Sequence, residues 1–307
     1  MKKIKITLII ILAIIVVGLI AVLSYFIATS NDLRVFQGRS NVILVKERSI
    51  NMEEIDELLI DYSNNYFDVY LYESDSQELI VKEYMSEEFE QDKIAKIDSR
   101  GTGNLYIKGA RMNSGFYWFG IRTGYVEVFF PKNYKGSFSI MTSSGEIVMD
   151  ENWSSGKDIS LSSSSGNIIA HEVVTNKILI TSSSGNIDIK NLTGTFDVSS
   201  SSGNIKIMNG RGLGNATASS GNIIMELDEV VGNIELSTSS GNVKLKIPES
   251  TLFRFDANTS SGNINTFFDD KIAYNKKGNS AQGNIGSDSN TEIKIKASSG
   301  NITVSKK

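Results

Sequence analysis

The chain has 307 residues, with 31 Lys+Arg against 35 Asp+Glu, no cysteine, one histidine, 2 prolines and 26 glycines. A formal net charge of −4 gives no reason to expect nucleic-acid binding. Without cysteine there is no disulfide, no lipid-anchoring cysteine and no thiol nucleophile, and a lone His171 leaves no zinc cluster or histidine-based triad.

Residues 6–28 run from Ile6 to Ala28 without a charge. As a helix they would extend about 34 Å, enough to cross the hydrocarbon core of a bilayer. Lys2, Lys3 and Lys5 precede them, so the positive-inside tendency keeps residues 1–5 in the cytoplasm as a short tail and sends the rest outside. A cleaved signal peptide ending near Ala28-Thr29-Ser30 is the alternative, although the apolar run is long for one. Residues 29–49 are expected to be a linker.

From about residue 50 the patterning is all-β. Asn51 to Leu59 reads as strand, with a short helix capped by Asn51 as the alternative. Tyr66 to Tyr72 and Leu79 to Lys82 flank Ser74-Asp75-Ser76 and predict a hairpin. Gly103 and Gly124 precede Gly145 at steps of 21 residues, so irregular coils are expected over 50–140. Gly115 to Gly120, with Phe116, Tyr117 and Trp118, is the most aromatic stretch. It is expected to pack at a coil end, with a sugar- or membrane-facing patch as the alternative.

Regular coils are expected over 141–265. Ser-Ser-Gly-Asn recurs with its glycine at Gly166, Gly185, Gly203, Gly221, Gly241, Gly262 and Gly300, preceded by Ser-Ser-Gly-Glu at Gly145. Ala281-Gln282-Gly283-Asn284 is a worn further copy. The steps are mostly 18–21 residues, the mark of a solenoid whose repeat is one coil. Within a repeat such as 184–202, Ile187 and Ile189, then Phe196 and Val198, alternate with polar residues. Each coil therefore reads as strand, turn, strand, turn, with one buried face. The glycines are expected to supply positive φ at stacked corners. Asn167, Asn186, Asn204, Asn222, Asn242, Asn263 and Asn301 would then form a ladder about 4.8 Å per step. That ladder closes the corners; a strip for polysaccharide hydroxyls is the alternative. Residues 266–291 are expected to be an irregular coil and 292–307 the last coil, with Lys306 and Lys307 blunting an exposed edge.

The Ser-Gly-Asn turns, the single N-terminal apolar span and the Asp68-Val69-Tyr70-Leu71 strand together resemble the bacterial putative-adhesin domain family, over about residues 50–305. The resemblance implies a β-solenoid on the outer face of a bacterial membrane, and carries no catalytic residues over. Asp188, Asp197 and Glu235 stand singly on outward positions, and Asp269-Asp270 and Asp288 match no calcium loop. No catalytic, cofactor-binding or metal-binding residue is assigned. The expected function is non-enzymatic: a cell-membrane protein with an extracellular adhesion or interaction surface for a protein or glycan of the cell envelope. The alternatives are an envelope-stress sensor or regulatory component acting through membrane partners and, more remotely, a polysaccharide-active enzyme. Because regular corners offer identical sites, partner contacts are expected where the pattern breaks, at Phe116, Tyr117 and Trp118 and at Lys276 and Lys277.

Overall fold

The computed structural model describes residues 42–86, 94–99, 101–111, 124–154, 158–286 and 290–307, and residues 43–307 form one unit. Residues 6–28 and the aromatics Phe116, Tyr117 and Trp118 lie outside the described residues. Among the described residues no helix is long and apolar enough to cross a membrane.

Strands dominate. The early part comprises β1 (Val42–Asn51), β2 (Glu57–Tyr62), β3 (Asp68–Ser74), β4 (Glu78–Ser86), β5 (Lys96–Ser99), β6 (Asn104–Lys108) and β7 (Gly124–Pro131). The regular part follows with β8 (Ser137–Thr142), β9 (Ile147–Ser154), β10 (Ile159–Ser163), β11 (Ile168–Ser182), β12 (Ile187–Ser200), β13 (Ile205–Ala218), β14 (Ile223–Ser240) and β15 (Val243–Ile247). The chain ends with β16 (Phe253–Ser261), β17 (Ile264–Thr266), β18 (Ile272–Tyr274), β19 (Ser280–Ile285), β20 (Glu292–Ser299) and β21 (Ile302–Lys306).

Two parallel stacks face each other across the core. One runs β6, β2, β8, β10, then the C-terminal halves of β11 to β14, then β20 and β16. The other runs β7, β3, β9, the N-terminal halves of β11 to β14, then β15, β21 and β17. Period-two patterning turns Ile187, Ile189, Phe196 and Val198 inward in one coil, and Ile205, Ile207 and Ala216 in the next, all buried in a single continuous core. The stacked coils make this a β-solenoid.

Stack order departs from chain order at both ends. Strands β20 and β21, the last in the chain, lie between the coil of β14 and β15 and the coil of β16 and β17. The 266–291 stretch is therefore not a coil. Its described residues hold a 3-10 turn, Asp269–Lys271, and an antiparallel hairpin of β18 and β19 laid against β16. Gly283 is a mid-strand residue paired with Phe255 and Ile272, not a corner: its spacing from Gly262 is coincidental. At the other end β7 lies between β3 and β4, so the expected hairpin of β3 with β4 does not form.

Three further expectations change. Strand β1 begins at Val42, inside the stretch expected to be a linker; its burial shows no regular alternation of buried apolar residues, and Arg48 within it reaches inward to Glu83. The strand expected over Asn51 to Leu59 is interrupted: Asn51 Oδ1 accepts the Glu53 N–H at 2.9 Å and makes a turn, and β2 starts at Glu57; the alternative helix does not form. The C-terminal lysines lie beside an interior strand. Lys306 Nζ is 3.7 Å from Glu249, while Lys307 Nζ contacts Asp228 and donates to Asn209 Oδ1 at 2.9 Å.

Candidate functional site

The corner glycines do not have positive φ. Within the regular coils that conformation occurs instead at Gly194 (136°), Gly214 (145°) and Asn209 (50°), on the opposite side of the coil. There β12 and β13 bend without breaking their hydrogen-bonded register, through Leu192↔Gly210 and Gly194↔Gly212, so the expected second turns are bends inside long strands. At the Ser-Ser-Gly-Asn corner the requirement is room. A Cβ on Gly166 would overlap the Gly145 carbonyl oxygen, and the same holds for Gly185 on Gly166, Gly203 on Gly185, Gly221 on Gly203 and Gly241 on Gly221. The series continues with Gly300 on Gly241 and Gly262 on Gly300, and begins with Gly145 on Phe67.

A second corner group is legible only after the glycines are aligned: a hydroxyl three residues earlier. Ser163, Ser182 and Ser200 each accept the N–H of Gly166, Gly185 and Gly203 at 2.9 Å. Thr142, Thr238 and Thr259 donate to the carbonyls of Gly145, Gly221 and Gly300 at 2.8–2.9 Å. All six are buried, and Ala218 stands where the Gly221 corner would have its own.

The asparagines form a ladder. The backbone N–H of Asn186, Asn204, Asn222 and Asn242 donates to Oδ1 of Asn167, Asn186, Asn204 and Asn222 at 2.8–3.0 Å. The ladder then passes to Asn301 on Asn242 and Asn263 on Asn301, both at 2.9 Å. Below Asn167 the amide gives way to acids: Asn167 Nδ2 donates to Glu146 Oε1 at 2.8 Å, and the Glu146 N–H donates to Asp68 Oδ1 at 2.8 Å. Beside the ladder runs an open groove of about 500 Å³, lined by Asn186, Asn204, Asn222 and Asn242 with Asp188, Lys206, Ile224 and Lys244.

A second groove, about 660 Å³, lies on the outer face of the other stack. Leu59 and Leu179 rise on either side of Ser139 and Ser160, which occupy the same register row, and Tyr106, Met141, Glu57, Asp158 and Lys177 complete it. The Tyr106 hydroxyl donates to Asp61 Oδ2 at 2.8 Å. Burial opposes the charge on Asp61. Hydrogen bonds from Ser63 and Tyr106, with the nearby Lys108 charge, outweigh it and hold the carboxyl below its ordinary range.

The aromatics beyond β6 divide by face. Phe130 is buried against Phe138 and Trp153, at centroid distances of 4.7 and 5.1 Å. Trp153 is therefore a core residue of β9, and its Nε1 has no hydrogen-bond partner among the described residues. Tyr125 stacks on Tyr84 at 4.5 Å and Phe129 on Tyr72 at 5.1 Å, forming a half-buried outer strip. Burial and a hydrogen bond with Glu127 push the Tyr84 hydroxyl up to about 12.

Lys276 and Lys277 form the exposed tip of the β18–β19 hairpin. Asn275 Oδ1 accepts the N–H groups of Asn279 and Ser280 at 3.0 and 3.3 Å and shapes that tip. At its base Thr266 and Tyr274 both donate to Asp269 Oδ1 and hold that carboxyl low. His171 is an exposed residue of β11. Among the described residues no group of three or more His, Cys, Asp or Glu could hold a metal ion.

Residues 55–305 match the family described as Toastrack DUF4097, and no curated protein matches the chain. A putative adhesin from Bacteroides fragilis NCTC 9343 is similar at 12% identity and a TM-score of 0.53, covering 88% of this chain and 99% of its own. A putative adhesin from Parabacteroides distasonis ATCC 8503 is similar at 13% identity and a TM-score of 0.51, covering 88% of this chain and 98% of its own. At such identities the likeness is one of fold. The family match spans most of the sequence, from β2 to β21: this chain belongs to the Toastrack DUF4097 family.

Proposed function

We propose that the protein is a non-enzymatic interaction module of the bacterial cell surface, held to the membrane by residues 6–28 with the solenoid outside. The observation that carries this reading is the groove along the asparagine ladder, where identical exposed polar groups recur at one strand spacing on a rigid frame. Such a strip suits recognition of a long, repetitive partner better than it suits chemistry, which needs unlike groups converging on one reacting atom. Two fold relatives described as putative adhesins support the same reading. Lys276 and Lys277 offer a second, cationic contact at the hairpin tip.

The experiment is capture by the full chain, purified with its N-terminal segment, from fractionated cell-envelope glycans and proteins. Saturable capture of an envelope component is expected, together with loss of the solenoid when protease is added to intact, wall-stripped cells. Capture of nothing, or complete protection of the solenoid, would contradict the reading.

A further inference from the structure

We infer that the groove along the asparagine ladder binds an acidic linear polysaccharide lengthwise. This rests on the interaction-surface reading and names its ligand class. A side-chain amide has two N–H donors and an oxygen with two lone pairs. Because each Oδ1 receives a backbone N–H from the next coil, the amide orientation in the ladder is fixed. Asn186 Oδ1 accepts from the backbone N–H of Asn204 at 2.8 Å and from its Nδ2 at 3.3 Å. Asn204 Oδ1 accepts the same pair from Asn222 at 2.9 and 3.1 Å, and Asn222 Oδ1 from Asn242 at 2.9 and 3.3 Å.

Both lone pairs of these oxygens are thus occupied, whereas the Nδ2 atoms of Asn204, Asn222 and Asn242 have each spent one hydrogen and retain another. All four side chains are exposed. The strip therefore offers a row of donors in which the oxygens of Asn186, Asn204 and Asn222 are already filled. A ligand rich in acceptor oxygens satisfies such a row; one that must also donate finds the amide oxygens of Asn186, Asn204 and Asn222 already engaged.

Charge points the same way. Lys206 and Lys244 share the outward row beside the ladder, with Ile224 between them, so they stand two strand spacings apart, about 10 Å. Lys206 meets Asp188 at 3.4 Å in an exposed pair, an arrangement of little net energy that a second anion can share. Lys244 is exposed and makes no ion pair among the described residues. Half-buried Ile224 gives a sugar ring an apolar seat between them. A linear saccharide with one acid per two-sugar repeat presents carboxylates at alternate units and acceptor oxygens along the rest of its length.

The test is isothermal titration of the full chain with hyaluronan oligosaccharides, with neutral chitin oligosaccharides of equal length and inorganic polyphosphate as comparators. Saturable binding of hyaluronan over both comparators is expected. The double variant Lys206→Ser, Lys244→Ser should bind roughly tenfold more weakly with unchanged circular dichroism. Asn222→Asp, which keeps the side-chain shape but sets a carboxylate in the donor row, should abolish binding in a folded protein. Equal binding of the neutral oligosaccharide, preference for polyphosphate, or indifference to both variants would overturn the inference. Failure here while the chain still captures another envelope component would sink the ligand class and leave the interaction-surface reading standing.

Discussion

The backbone N–H of Asn301 donates to Oδ1 of Asn242 at 2.9 Å across 59 residues of chain. The preceding asparagine steps span only 18 to 20 residues. The ladder is therefore continuous in space and discontinuous in sequence. The chain leaves the coil of β15, skips one position to form β16 and β17, turns back through the β18–β19 hairpin, and fills the skipped position last.

A last coil enclosed on both sides should not behave as a fraying terminus. Ile302 is fully buried and its strand pairs with β15 and β17. Ile302→Ala should cost about 2–5 kcal/mol, the range for a buried isoleucine in any core. Urea denaturation of this variant and of Ile205→Ala should give comparable losses; a near-zero loss at Ile302 would contradict its interior place.

The corner glycines should respond to bulk rather than to backbone conformation. Gly203→Ala should destabilise by more than about 2 kcal/mol, since even one methyl must push two coils apart. Gly101, with φ of 77° and nothing within 4 Å of a Cβ, should lose only about 1–2 kcal/mol as alanine. Of the corner serines, Ser200→Ala should cost about 1–3 kcal/mol because the buried Gly203 N–H loses its acceptor. Exposed Ser202→Ala should be near neutral. Thermal melts of the four variants rank these effects.

Strands β1 and β4 share a buried ion pair. Glu83 is fully buried; its carboxylate meets Arg48 at 2.6 Å and accepts from the Ala95 N–H and the Tyr62 hydroxyl at 2.9 and 3.1 Å. Arg48→Met strands that charge and should cost about 3–5 kcal/mol. Removing the exposed Lys132–Asp75 pair should cost less than about 1 kcal/mol. A double-mutant cycle with Glu83→Gln, followed by chemical denaturation, measures the difference.

Stability should fall at both extremes of pH, for opposite reasons. Asp61 titrates below its ordinary 3.8 in the fold, so its contribution is complete above that value and drains as pH falls through the lower folded one. Tyr84 titrates at about 12 against 10.0 in the unfolded chain. Its contribution is complete below 10 and is lost as pH rises toward 12. Asp61→Asn should flatten the acid limb and Tyr84→Phe the alkaline limb in denaturation midpoints followed against pH.

The solenoid was legible in the sequence because each coil repeats the same local demands: a crowded glycine, a ladder asparagine and inward aliphatics such as Ile187 and Ile189. What stayed hidden is non-local. Gly300 carries the same tetrapeptide wherever its coil is inserted, so nothing in its neighbours records that it stacks on Gly241 before Gly262. Strand β7 separates β3 from β4 by pairings that no short window contains. The reason for glycine at the corner was also hidden, since a positive φ and a close carbonyl select the same residue. Of the candidate site, the asparagines were legible by position. The groove depends on outward Lys206, Ile224 and Lys244, which come together only when three coils are in register. Phe116, Tyr117 and Trp118 lie outside the described residues.

Cysteine cross-linking tests the coil order most directly, because the chain has no cysteine of its own. Lys244 is in register with Thr303, and Thr303 with Asn265. The pair Lys244→Cys, Thr303→Cys therefore lies on adjacent strands, within the Cα separation of about 4.4–6.8 Å that a disulfide requires. The pair Lys244→Cys, Asn265→Cys is one strand further apart, about 10 Å. Under mild oxidation the first pair should close and the second should not, as read by gel mobility and peptide mapping. Closure of 244 with 265 and not with 303 would mean that the coils stack in chain order, and would contradict the ladder that runs through Asn301.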